Sequence, residues 1–296
     1  MVNEDNTQLN QDTIDAVRNL ELIPDMMTSS RYTGIHSSRD RGSDVEFAEH
    51  RQYEPGDDLR YLDWNALAKS DELFLKQFES ETQIDSSIVL DASKSMDYAS
   101  GELSKWEVAR AVSVMMSSVL LDQGDRVKIV PARKDSVDIP RWNNINELSR
   151  DLDQLETMEA TGPTVMLDCS KQELSNVTSK SLWIIVSDFW MSNENEYFDW
   201  LQNVKTRGHD VILIPVWDPI ERVFEVDGDV QLEDLETGET VTVTGDDVER
   251  FRDALEDKRS RFERIARENQ IRFWPIYTDR DIVPSLRTHV GSEGAR

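Results

Sequence analysis

The stretch Ser86-Ser87-Ile88-Val89-Leu90-Asp91-Ala92-Ser93-Lys94-Ser95-Met96 constrains this chain more than any other. Ile88 to Leu90 is a short apolar run, rich in β-branched residues, as a strand needs when helices cover both its faces. Directly after it the chain presents one carboxylate and two hydroxyls at alternate positions, Asp91, Ser93 and Ser95. Carboxylate, hydroxyl and water oxygens are what a hard divalent cation such as Mg²⁺ takes, in near-octahedral geometry at about 2.0–2.1 Å. A loop just past a strand's carboxyl end is also where open α/β sheets bind ligands. Asp and Ser are common turn formers, so the pattern gains weight only from company elsewhere in the chain.

Two further segments supply that company. Ser181-Leu182-Trp183-Ile184-Ile185-Val186-Ser187-Asp188 is a second buried-strand pattern ending in a carboxylate. Between the two lies Ala160-Thr161-Gly162-Pro163-Thr164, a turn that places a threonine hydroxyl before the apolar Val165-Met166-Leu167. Asp-x-Ser-x-Ser, a threonine after a glycine-containing turn and a strand-terminal aspartate, in that order, resemble the metal-ion-dependent adhesion site of von Willebrand factor A domains. The resemblance implies Asp91, Ser93, Ser95, Thr164 and Asp188 as ligands of Mg²⁺, with Mn²⁺ or Ca²⁺ as substitutes, and Thr161 as second choice for the threonine. The plain alternative is that Asp91 and Ser93 cap the next helix and Asp188 closes an ordinary turn.

Around these segments strands and helices alternate. Ser104-Lys105-Trp106-Glu107 is a capping box that opens a helix running through Leu121, apolar nearly all round. A strand is predicted over Arg126 to Pro131, with Asp138-Ile139-Pro140 as a short edge partner, and a helix over Asn144 to Met158. Further helices are predicted from Glu194 to Thr206 and from Asp246 onward, and strands over Asp210 to Val216 and Ile271 to Ile276. The alternation predicts an α/β fold with a doubly wound, mostly parallel sheet over 81–296, of von Willebrand factor A type by the resemblance. Alternating apolar and polar residues around Asp227-Gly228 and Thr237-Gly238 predict a β-hairpin excursion at 222–245.

Residues 1–80 read differently, as a small irregular or β module, with 1–25 a loose tail or a helix. Here Arg41-Gly42-Ser43 is followed by Glu46, and then by Arg51-Gln52-Tyr53-Glu54-Pro55-Gly56-Asp57-Asp58-Leu59-Arg60-Tyr61-Leu62-Asp63-Trp64. That motif, directly ahead of an A-type domain and with Asp218-Pro219-x-Glu221 after a later strand, resembles the domain-of-unknown-function fifty-eight family. Many of that family's members carry transmembrane helices ahead of the module. The family is typically found with a MoxR-type AAA ATPase and is thought to act in remodelling or maturing other proteins. The resemblance therefore implies a protein-interaction adaptor, whose metal is completed by a glutamate or aspartate of a partner, the ATPase foremost. A Mg²⁺-dependent hydrolase using Asp91 and a metal-free scaffold are the other two classes. The hydrolase lacks a second acid two residues after Asp91, and the sequence has no phosphate-cradling glycine loop.

Composition narrows the partners. Asp and Glu number 59 against 33 Lys and Arg, a net charge of −26 spread over every segment. Such a surface argues against nucleic acid, whose phosphates are bound by Lys and Arg, and looks like that of an extreme halophile. No apolar run approaches the ~20 residues that span a bilayer, and the start lacks the basic and apolar regions of a signal peptide. With a lone cysteine, Cys169, the chain reads as cytoplasmic. Phe189 and Trp190, straight after Asp188, are candidate aromatic anchors for a partner, or else pack beneath the next helix. Arg39 and Arg41 are candidates for a partner's carboxylates, or else pair with nearby acids.

Overall fold

The structure, a computed structural model, describes residues 9, 11–17, 20–22, 45–53, 62–64, 66–67, 73–80, 83–135, 137–222, 230–233, 240–243 and 245–291. The chain divides into two units, Thr33–Gln83 and the remainder. The division falls after Gln83. The N-terminal segment differs, because helix α1 (Gln11–Ala16) groups with the large unit rather than with the small one. The reason is burial: Ile14, Val17 and Leu22 join the large unit's core, and Gln123 Nε2 donates to the Leu22 carbonyl at 3.1 Å.

The small unit contains the antiparallel pair β1 (Val45–Gln52) and β2 (Phe74–Ser80), with a register shift between Phe47 and Glu49. Asp63 N donates to the Phe74 carbonyl at 2.8 Å, and Asp63 Oδ1 accepts from Ala66 N, closing a turn over the pair.

The large unit is α/β. Strand β3 (Asp85–Asp91) is followed by a 3-10 turn (Lys94–Asp97), helix α2 (Lys105–Asp122) and strand β4 (Arg126–Ala132). After helices α3 (Ile145–Glu156) and α4 (Met166–Asn176) comes β5 (Ser181–Ser187), then α5 (Glu194–Thr206) and β6 (Asp210–Trp217). The short helix α6 (Pro219–Arg222) leads to the antiparallel pair β7 (Val230–Glu233) and β8 (Thr240–Val243), within the expected excursion. Helix α7 (Gly245–Glu268), strands β9 (Arg272–Phe273) and β10 (Ile276–Tyr277) and helix α8 (Ile282–Gly291) complete the described chain.

The sheet runs in the order β10-β6-β5-β3-β4, with β9 also on β6, and every pairing in it is parallel. Successive side chains on a strand face opposite ways, and the two cores follow from that period. Ile88, Leu90, Ile184, Val186, Ile212 and Ile214 pack on the side of α2, α3 and α8. Val89, Trp183, Ile185, Val211 and Leu213 pack on the side of α4, α5 and α7. With helices on both faces the sheet is doubly wound. The chain steps outward from β3 to β4 and then returns across β3 to β5, so the switch point lies between the carboxyl ends of β3 and β5, where such sheets bind ligands.

Two edges differ from expectation. The antiparallel partner of β4 is Trp142, which exchanges backbone bonds with Val127, rather than residues 138–140. The last strand is split into β9 and β10 because Pro275 has no N–H to give the ladder, although Trp274 N still reaches the Leu213 carbonyl at 2.8 Å. Among the described residues no helix is long and apolar enough to cross a membrane.

A candidate site at the switch point

Asp91 closes β3 and is 1% exposed. Its Oδ1 accepts from the backbone N–H of Ser93 at 3.0 Å, and its Oδ2 accepts from Ser187 Oγ at 2.6 Å. The two serine hydroxyls, Ser93 Oγ and Ser95 Oγ, stand 3.1 Å apart as the chain turns into the 3-10 segment. Thr161 N donates to the Ala92 carbonyl and Lys94 N to the Gly162 carbonyl, both at 2.8 Å, so the threonine-bearing turn lies along this loop. Gly162 supplies the left-handed φ of +74° that the turn requires. Thr164 is half-buried just before α4, whereas Thr161 is exposed, with its hydroxyl 3.5 Å from Arg133 Nη2. Asp91, Ser93 and Ser95 are thus brought together, and the 160–164 turn is brought beside them.

Asp188, also 1% exposed, follows β5 on the other side of the switch point. Its Oδ1 accepts from Trp190 N at 2.9 Å and its Oδ2 from Lys105 Nζ at 2.7 Å. Lys105, itself only 2% exposed, gives a second hydrogen bond to Glu221 Oε1 at 2.9 Å. Trp190 Nε1 donates to the same Glu221 oxygen at 2.9 Å, and Asp218 N to Glu221 Oε2 at 2.8 Å. Three strand ends therefore contribute carboxylates, Asp91 from β3, Asp188 from β5 and Glu221 after β6, with Lys105 as the ammonium between the last two.

The charges set the protonation. Burial, reinforced by the negative charge of Asp188, pushes the Asp91 carboxyl up to about 6, against the hydrogen bonds from Ser187 and Ser93. Burial also raises Glu221, opposed by Lys105. Burial pulls Lys105 down, but Asp188 and Glu221 together outweigh it and leave the ammonium firmly protonated. Among the described residues, no group of three or more His, Cys, Asp or Glu side chains is placed to hold a metal ion. The expected set holds two carboxylates, Asp91 and Asp188, and three hydroxyls, Ser93, Ser95 and Thr164.

Phe189 is buried, at 1% exposure, against Phe198 and Phe262, so it cannot serve as the surface anchor considered for it. Its φ of +59° is a left-handed conformation that a bulky residue seldom adopts. The turn is held by Phe189 N donating to Ser187 Oγ at 2.8 Å and by the Asp188–Trp190 bond. Trp190 is half-buried, its ring lying 3.7 Å beneath Lys258 Nζ of α7. Arg39 and Arg41 lie outside the described residues.

Lys105, Ser187 and Glu221 were not among the residues the sequence singled out for the site. Lys105 did carry a signal: a cation in the first turn of a helix opposes the macrodipole, so it needs carboxylates nearby. Glu221 lay inside a quoted motif without a role, and Ser187 looked like the last residue of a strand.

The comparisons with known proteins identify the family of the chain. The family model described as "Protein of unknown function DUF58" matches residues 49–268, and the chain belongs to that family. "Uncharacterized protein Rv1480" of Mycobacterium tuberculosis and "Uncharacterized protein Mb1516" of Mycobacterium bovis are each 25% identical over 235 residues. In both cases the match covers 75% of this chain and 71% of the relative. A solved structure of an uncharacterized membrane spanning protein from Vibrio fischeri matches at 15% identity, over 72% of this chain and 98% of that one. The TM-score of that match is 0.26.

Proposed function

We propose that this member of the DUF58 family is an adaptor. Its large unit is of von Willebrand factor A type, and its switch-point loop holds a divalent cation, Mg²⁺ foremost. Charge balance is the observation that carries the reading. Asp91, Asp188 and Glu221 converge on one edge of the sheet, with the Lys105 ammonium bonded between two of them and Lys258 of α7 within reach of the same two charges. Burial, reinforced by the charge of Asp188, raises Asp91, and a bound divalent cation would favour its ionised form against both. Asp91, Ser93, Ser95 and Thr164 offer the oxygen chemistry such an ion takes, and Asp188 adds its charge beside them. When bound, the ion supplies a strong, directional acceptor for one carboxylate oxygen from outside.

The chain's own residues do the rest. Ser187 and the Ser93 backbone hold Asp91 by both oxygens, which suits a positioning carboxylate better than a nucleophile, and no catalytic group is assigned. A glutamate or aspartate of a partner then completes the ion's shell, a contact that the acidic surface would otherwise repel. A MoxR-type AAA ATPase is the partner we expect, in remodelling or maturation of client proteins within the cytoplasm. The dispersed net charge of −26 fits a chain adapted to high salt.

The test is binding to the purified MoxR-type ATPase of the same organism. Binding that is present with Mg²⁺ and lost with chelator or with Ser93→Ala supports the adaptor reading. Binding indifferent to both refutes the metal-dependent contact. Hydrolysis of a phosphoester or peptide that disappears in Asp91→Asn replaces the adaptor with the hydrolase.

A further inference from the structure

Lys105 is an unusual residue to bury at the first position of a helix. Ser104 caps α2 through Glu107, and the peptide dipoles of the first turn present partial positive charge where Lys105 begins. Its side chain nevertheless runs inward, and its ammonium is 3% exposed between two acids. Asp188 lies at 2.7 Å and Glu221 at 2.9 Å. The remaining oxygens of both acids are held as well, Asp188 Oδ1 by Trp190 N and Glu221 Oε2 by Asp218 N. Glu221 Oε1 is shared between the ammonium and Trp190 Nε1. One lysine therefore ties the segment after β5 to the helix after β6.

We propose that Lys105 is a positioning residue of the switch-point site, a built-in cation that sets how strongly the site draws a divalent ion. This rests on the metal reading given above. By occupying Asp188 Oδ2 the ammonium leaves an incoming ion to Asp91 and the hydroxyls, and its charge opposes that ion directly. Glu221 tempers the effect, because it shares the ammonium and keeps it from neutralising Asp188 alone. The site is thereby set for reversible loading, with its carboxylates held in place whether or not an ion is bound.

The two neighbours predict opposite changes in affinity, which a merely structural role would not produce. Lys105→Met removes the competing charge and frees Asp188 Oδ2 beside Asp91, so Mg²⁺ affinity rises about tenfold or more. Glu221→Gln removes an acid that would not touch the ion and turns Lys105 fully onto Asp188, so affinity falls severalfold. Lys105→Arg keeps the charge and stays near the wild-type value.

The experiment is calorimetric titration of MgCl₂ into the full chain and these variants, with thermal melts in chelator alongside. Tighter binding in Lys105→Met together with weaker binding in Glu221→Gln supports the proposal. Unchanged or weaker binding in a folded Lys105→Met overturns it. Where Lys105→Met fails to fold, Glu221→Gln decides, and wild-type or tighter affinity there overturns the proposal. Absence of Mg²⁺ binding in the wild type refutes the metal reading itself, and the proposal falls with it. That outcome is distinct from wild-type binding that ignores Lys105.

Discussion

Ser187 Oγ donates to Asp91 Oδ2 at 2.6 Å, and this single bond joins the carboxyl ends of β5 and β3 across the switch point. Both residues are essentially inaccessible to water, and Ser187 Oγ also accepts the N–H of Phe189. The bond thus supports both the first carboxylate of the candidate site and the left-handed turn that aims the second.

Ser187→Ala leaves a buried carboxylate oxygen and a buried N–H without this partner. An orphaned buried polar group costs about 1–3 kcal/mol, so we expect stability to drop by about 2 kcal/mol or more. The midpoint of urea unfolding measures this directly. Ser175→Ala serves as control, because Ser175 is exposed on α4 and only returns its hydroxyl to the Gln172 carbonyl.

His209 gives a pH dependence whose sign is fixed. Its Nδ1 accepts from Ser181 N at 3.2 Å and pairs with Ser181 Oγ at 2.8 Å, so the folded state favours the neutral ring. Burial, with Arg207 and Lys180 and against Asp210, lowers its pKa below 6.5. The unfolded chain therefore binds more protons just below pH 6.5, and this contribution to stability is lost as pH falls through that region. Asp125, whose carboxyl burial raises to about 6, contributes a slope of opposite sign, so the measurement must be a difference. We expect the melting temperature of wild type minus that of His209→Gln to shrink steadily from pH 7.5 to pH 5. A constant difference would contradict the assignment.

The fold was legible where burial is two-sided. Ile88–Leu90 and Leu182–Val186 are apolar at every position, and the structure makes them the central strands. Helix α5 spans the predicted Glu194 to Thr206 because its buried Tyr197, Leu201 and Val204 keep helical spacing. That Asp91, Ser93 and Ser95 share one loop was legible because they stand at alternate positions of one short segment. The roles of Lys105, Glu221 and Ser187 were not, since they depend on which strand ends lie side by side. Phe189 was open between surface and core for the same reason: nothing local reveals that α7 brings Phe262 over it.

Salt tests the surface independently of the site. With 59 acidic and 33 basic side chains on one chain, self-repulsion opposes the compact state. The Debye length falls from about 30 Å at 0.01 M to about 3 Å at 1 M, so the melting temperature should climb as KCl rises into the molar range. A melting curve indifferent to KCl between dilute buffer and 3 M would rule out the salt adaptation and leave the switch-point site untouched.

Asp91 is the organising ligand of the proposed cation site between β3 and β5. Calorimetric titration of Mg²⁺ or Mn²⁺ into wild type and Asp91→Ala, with circular dichroism to establish that both retain the fold, tests it most directly. One ion should bind per wild-type chain and none in Asp91→Ala. Equal binding by the two proteins, or no binding by either, would contradict it.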